Sequence, residues 1–106
     1  MSKRTTRRDS VHEAAWHFRL YVAGLTPRSL AAFVNLKRLC EQHLAGRYRI
    51  EVVDLRDEPA TALDDQVTAV PTVVRTRPVP VRRVIGDLSN VARVLQGLEI
   101  VGQDAT

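Results

Sequence analysis

Cysteine is almost missing from this chain: its 106 residues hold one, Cys40. A single thiol excludes an intrachain disulfide framework and leaves no Cys-x-x-Cys pair for dithiol exchange. It suits a reducing compartment, and a cytoplasmic protein is expected. Long apolar runs are missing too. None approaches the ~20 residues that span a bilayer, and the N-terminus lacks the apolar segment of a secretory signal. Aromatics are confined to Trp16, Phe18, Tyr21, Phe33 and Tyr48, so the core must be built of Val, Leu, Ile and Ala. No P-loop, Gly-rich dinucleotide fingerprint or Ser/His/Asp signature occurs. His12, His17 and His43 have no cysteine or carboxylate partners at ligand spacing. Neither a metal nor a cofactor is therefore expected.

What is present is ordinary for one small soluble domain, with 44% hydrophobic and 26% charged residues. The net charge of +4 is uneven: Lys3, Arg4, Arg7 and Arg8 against Asp9 put +3 of it into the first ten residues. Residues 1–14 lack periodicity and are expected to form a disordered basic leader, 15–101 the folded domain and 102–106 a short tail. A basic arm can bind nucleic acid. So short a run has little specificity, however, and no aromatic ladder accompanies it, so nucleic acid is not an expected partner.

The periodicity predicts β-α-β-α-β-β-α. From Trp16 to Val22 apolar and polar residues alternate, which marks a strand. Thr26 before Pro27 is an N-cap followed by proline at the first helical position, opening a helix from Pro27 to about Leu44. Its apolar arc reads Leu30, Phe33, Val34, Leu36, Cys40 and Leu44, and Gly46 stops it. Tyr48 to Leu55 is a second strand, parallel to the first because the crossover is long. Pro59 to Val67 carries a weak helical pattern. Thr72–Arg75 and Val81–Ile85 are strands joined by the Arg77-Pro78-Val79-Pro80 turn. A last helix follows Gly86, with Leu88, Val91, Leu95 and Leu98 as its stripe.

The turn Val70-Pro71-Thr72, the strand after the proline turn and Gly86-Asp87-Leu88-Ser89 resemble the C-terminal half of a thioredoxin-type domain, where the proline faces a redox dithiol. Here Thr26 and Ser29 occupy the approximate thiol positions. A hydroxyl has no two-electron redox couple and far too high a pKa for exchange. Cys40 lies on the apolar arc of a helix and reads as a small core residue. Asp64 and Asp65 read as a solvated helix face. Arg75, Arg77, Arg82 and Arg83 cluster around the proline turn. Arg47, Arg49, Arg75, Arg82 and Arg83 are the candidates for binding an acidic partner. The competing reading is charge that protects exposed strand edges.

Leu20-Tyr21-Val22-Ala23-Gly24, with Thr26-Pro27 and Ser29, is similar to the first signature of the KaiB family of circadian clock proteins. Val81-Arg82-Arg83-Val84-Ile85-Gly86-Asp87-Leu88-Ser89-Asn90 resembles their second signature. Ile50–Leu55, Asp57-Glu58-Pro59 and Ala69-Val70-Pro71-Thr72 fit between the two. The likeness covers about residues 16–101. It implies a non-enzymatic regulator that binds the N-terminal ATPase ring of a hexameric KaiC-type kinase, and sequesters KaiA where KaiA exists. It also implies two packings of the C-terminal half, one a thioredoxin-like monomer and the other assembling as a homo-oligomer, dimer or tetramer. Gly86, Asp87 and Pro71 are the candidates for tuning that balance: glycine is permissive, and X-Pro bonds have a small isomer preference in an unstructured chain. The acidic C-terminal tail of cyanobacterial relatives is not apparent, which leaves room for a stress-adaptation role without a true clock. A redox or glutathione-dependent thioredoxin relative is the enzymatic alternative.

Overall fold

A computed structural model describes residues 15–100; the leader expected at 1–14 and the tail expected at 102–106 lie outside the described residues. Among the described residues seven elements follow in order: β1 (Trp16–Val22), α1 (Pro27–His43), β2 (Tyr48–Asp54), α2 (Pro59–Asp64), β3 (Thr72–Arg77), β4 (Arg82–Ile85) and α3 (Val91–Gly97). They form one four-stranded sheet in the order β2-β1-β3-β4. The edge strand β2 pairs with β1 in parallel, with Leu20 opposite Val52, while β1–β3 and β3–β4 are antiparallel. This is the predicted β-α-β-α-β-β-α thioredoxin-like arrangement.

The alternation of β1 sorts its side chains between two cores. Trp16, Phe18, Leu20 and Val22 pack with Leu36, Leu39 and Cys40 of α1, and with Val94 of α3. The Trp16 and Phe18 rings stack at 6.2 Å. On the other face Tyr21 joins Val53, Ala62 and Val74 in a smaller core beneath α2. Each large side chain buried this way contributes about 1.5–3 kcal/mol.

The helices begin where the caps dictate. Thr26 Oγ1 accepts the Ser29 N–H at 3.1 Å, and Ser29 Oγ accepts the Thr26 N–H at 2.8 Å, a reciprocal capping box. That box fixes the rotation of α1 and corrects its expected arc. Ser29, Ala32, Leu36, Leu39 and Cys40 turn inward, whereas Leu30, Phe33 and Val34 lie exposed. In α3 the Asn90 side chain caps the Arg93 N–H at 3.1 Å. Of the expected stripe, Leu88 and Leu98 are buried and Leu95 packs on the core; Val91 is half exposed, and Val94 is buried in its place. Helix α2 stops at Asp64, short of the expected Val67, because Gln66 turns to φ +58°. Strand β3 holds Arg75 as expected and runs on to Arg77, so Arg77 belongs to the strand and not to the turn.

Candidate functional site

The loop leaving β1 and the loop preceding β3 meet at one end of the sheet. Thr26, Arg28 and Ser29 line a cleft of about 280 Å3 with Val70 and Pro71. The Ser29 hydroxyl reaches the Gly24 carbonyl at 3.0 Å, and the Thr26 and Ser29 hydroxyl oxygens lie 3.1 Å apart. Both hydroxyls are thus engaged in holding the start of α1. Gly24 takes φ +78°, and its N–H donates to Asp54 at 3.2 Å. Hydrogen bonds from Arg56, side chain first and then backbone, hold the Asp54 carboxyl down at about 2. This clamp pins the loop to the end of β2. Cys40, the one thiol, is fully buried, and that burial pushes it up to about 12. A thiol so placed is a core residue and not a nucleophile.

Three expected tuning residues adjoin one another. The Gly86 N–H donates to the Pro71 carbonyl at 2.8 Å, and the Val70–Pro71 peptide is cis. Gly86 sits at φ +119°, and Leu88, two residues on, takes φ +65° while buried. A leucine in the left-handed region is uncommon and costs of order 1–2 kcal/mol. Asp87 lies between them. Its carbonyl accepts the Asn35 amide of α1 at 2.9 Å, and its carboxylate accepts the Ser89 N–H at 3.0 Å. The Ser89 hydroxyl, then its N–H, lowers the Asp87 pKa.

The arginine candidates do not form one surface. Arg47 and Arg49 lie at the β2 edge of the sheet, Arg82 and Arg83 at the opposite β4 edge. Arg82 pairs with Glu99 at 2.9 Å, and Arg83 Nε donates to the Asp65 carbonyl at 2.7 Å. Arg75 corrects the expectation of an exposed cluster, for only 2% of it is exposed. It stands opposite Phe18, so it points into the larger core. There it donates to Leu98 O at 2.6 Å and Pro80 O at 2.5 Å, with its guanidinium 5.5 Å from the Trp16 ring centre. Burial lowers its pKa. Arg75 is a staple between the β3–β4 hairpin and the end of α3.

Asp65 is also misplaced by the sequence reading. Its carboxylate is mostly buried and accepts from Arg19 at 3.0 Å and from the Tyr21 hydroxyl. Burial, then the Asp65 bond, raises Tyr21 to about 12. The partners lie over 40 residues upstream, and no local signal links them. Among the described residues no group of three or more His, Cys, Asp or Glu is placed to hold a metal, and no helix is long and apolar enough to cross a membrane.

A thioredoxin-like domain whose dithiol positions carry capping hydroxyls is the class that this geometry defines. The same fold appears in yeast mitochondrial thioredoxin 3, with a TM-score of 0.65 at 19% identity over 87% of this chain and 84% of that one. It appears again in the N-terminal domain of Synechococcus elongatus SasA, with a TM-score of 0.69 at 14% identity over 85% and 86%. A profile of the KaiB domain matches residues 19–100. The circadian clock protein KaiB3 of Synechocystis sp. is 39% identical over 78% of this chain and 81% of its own length. The circadian clock oscillator protein KaiB of Nostoc sp. is 43% identical over 83% and 82%. The chain belongs to the KaiB family.

Proposed function

We propose that this chain is a non-enzymatic clock regulator that binds the N-terminal ATPase ring of a KaiC-type kinase and modulates its phosphorylation and timing cycle. The observation that carries the reading is the family match over residues 19–100 on a scaffold whose thiol positions are Thr26 and Ser29. With Cys40 buried, the redox alternative has no nucleophile to offer. A thioredoxin fold without its chemistry serves recognition. Arg82 and Arg83 on one sheet edge, or Arg47 and Arg49 on the other, are the candidate contacts to an acidic partner. A KaiA-type protein is a further partner where the organism has one.

Fold switching belongs to the same proposal. Gly86 and Leu88, both at positive φ, bracket Asp87 at the start of the half that would repack. Strain stored at such a hinge lowers the gap to a second packing, which needs to be only a few kcal/mol. That second packing would be the homo-oligomeric ground state, in the cytoplasm. The test is size-exclusion chromatography of the purified chain with its cognate ATPase ring. Co-elution is expected, stronger with a ring that hydrolyses ATP, and no detectable complex would overturn the reading. Asp87→Arg should shift the monomer–oligomer balance; an unchanged elution profile and NMR spectrum would remove the switch from that position.

A further inference from the structure

The 280 Å3 cleft beside Pro71 does not stand alone. Arg28 also lines a larger cleft of about 490 Å3, walled by Ile85, Asp87, Ser89 and Arg93. Together they reach the size of a pocket for a small ligand or a short peptide. Neither the Arg28 nor the Arg93 guanidinium makes an ion pair or side-chain hydrogen bond among the described residues. The acidic group nearby, Asp87, is already engaged by the Ser89 N–H and hydroxyl. Two guanidinium groups and one carboxylate leave a single unanswered positive charge. That matches a singly charged carboxylate better than a doubly charged phosphate. The walls between are apolar: Val84, Leu88 and Val94 are buried, and Ile85 is half exposed.

We propose that this cleft binds the free C-terminal carboxylate of a short extended peptide ending in an apolar residue. Arg28 and Arg93 take the carboxylate as forked donors. Val84, Ile85 and Leu88 pack the last side chain. The preceding residues pass Arg28 into the smaller cleft beside Val70 and Pro71. Capture of a terminal carboxylate is a recurrent mode of peptide recognition. The cleft belongs to the packing described above, since residues 84–94 line it, so the inference concerns that packing and not the homo-oligomer of the clock reading.

The test titrates an acetylated Gly-Gly-Ala-Leu peptide into the full 15N-labelled chain, as the free acid and as the C-terminal amide, with inorganic phosphate at matched ionic strength. The free acid is expected to give saturating shifts at Arg28, Gly86, Ser89 and Arg93, with at least about tenfold tighter binding than the amide. Arg28→Gln and Arg93→Gln should each bring the acid down to the level of the amide, whereas Arg38→Gln, elsewhere on α1, should leave it unchanged. A dispersed spectrum with cross-strand NOEs between Thr72 and Ile85 reports that the parent and each variant hold the packing that forms the cleft, and either arginine alone suffices for the comparison. Equal binding of acid and amide, absence of saturation, or equally tight saturation of the same amides by phosphate would overturn the proposal.

Discussion

Replacing Arg75 by methionine tests how the C-terminal half is held. Methionine keeps most of the volume and can lie against Trp16, but it donates nothing. The variant loses two charge-assisted hydrogen bonds, to Leu98 O at 2.6 Å and Pro80 O at 2.5 Å. Bonds of that kind contribute about 1.5–3 kcal/mol each. Against this stands the cost of burying a guanidinium, visible in its lowered pKa and in an Nε with no partner. Glu99, 3.9 Å away and half exposed, compensates little of that cost. The balance is a destabilisation of about 2–4 kcal/mol, which for a domain of this size lowers Tm by at least about 8 °C. Arg75→Lys retains the charge but not the fork and should fall between the two. Urea and thermal unfolding followed by circular dichroism read both variants. An Arg75→Met protein within about 0.5 kcal/mol of the parent would refute the staple and return Arg75 to the list of solvent-facing charges.

Other perturbations separate local geometry from propensity. A Cβ on Gly97 would stand 2.6 Å from Val84 Cγ2. Gly97→Ala should therefore destabilise by about 1–3 kcal/mol in a urea melt, although alanine is the better helix former; a stabilised variant would show that α3 shifts freely. Asp54 is held at about 2 against an ordinary 3.8, so its carboxylate contributes fully above pH 3.8 and the contribution is lost as pH falls through about 2. Asp54→Asn should flatten the acid limb of the stability curve across that window, and an unchanged limb would mean that the Arg56 clamp does not persist in solution. Cys40, raised to about 12, should react with a thiol reagent only at the rate of unfolding; stoichiometric labelling within seconds under native conditions would place it at the surface.

Much of this fold is legible in local sequence. The alternation from Trp16 to Val22, the Thr26-Pro27 cap and the proline turn each state their element, because each signal is carried by neighbours. What misleads is hydrophobicity without phase. Leu30, Phe33 and Val34 look like the buried face of α1, yet the capping box and the Ser29–Gly24 bond rotate the helix and bury small residues instead. Arg75 was recoverable in principle, since it shares strand parity with buried Val73. A charged side chain beside a two-proline turn nonetheless reads as surface. The Asp65 network was not recoverable, for its partners Arg19 and Tyr21 come from another element. The Gly86–Ser89 segment was visible through its residues, but the meeting of Gly86 with Pro71 depends on the β3–β4 pairing.

The two hydroxyls at the head of α1 set a condition on any return to redox chemistry. Thr26 Oγ1 and Ser29 Oγ lie 3.1 Å apart, and each caps the helix through the other's backbone. Cysteines at both positions would install the spacing of a dithiol, Cys-Pro-Arg-Cys, with no other change. Sulfur accepts hydrogen bonds weakly, so the same exchange would give up a cap worth about 0.5–2 kcal/mol. Helix anchoring and thiol reactivity therefore compete for the same two atoms, and this chain holds the helix.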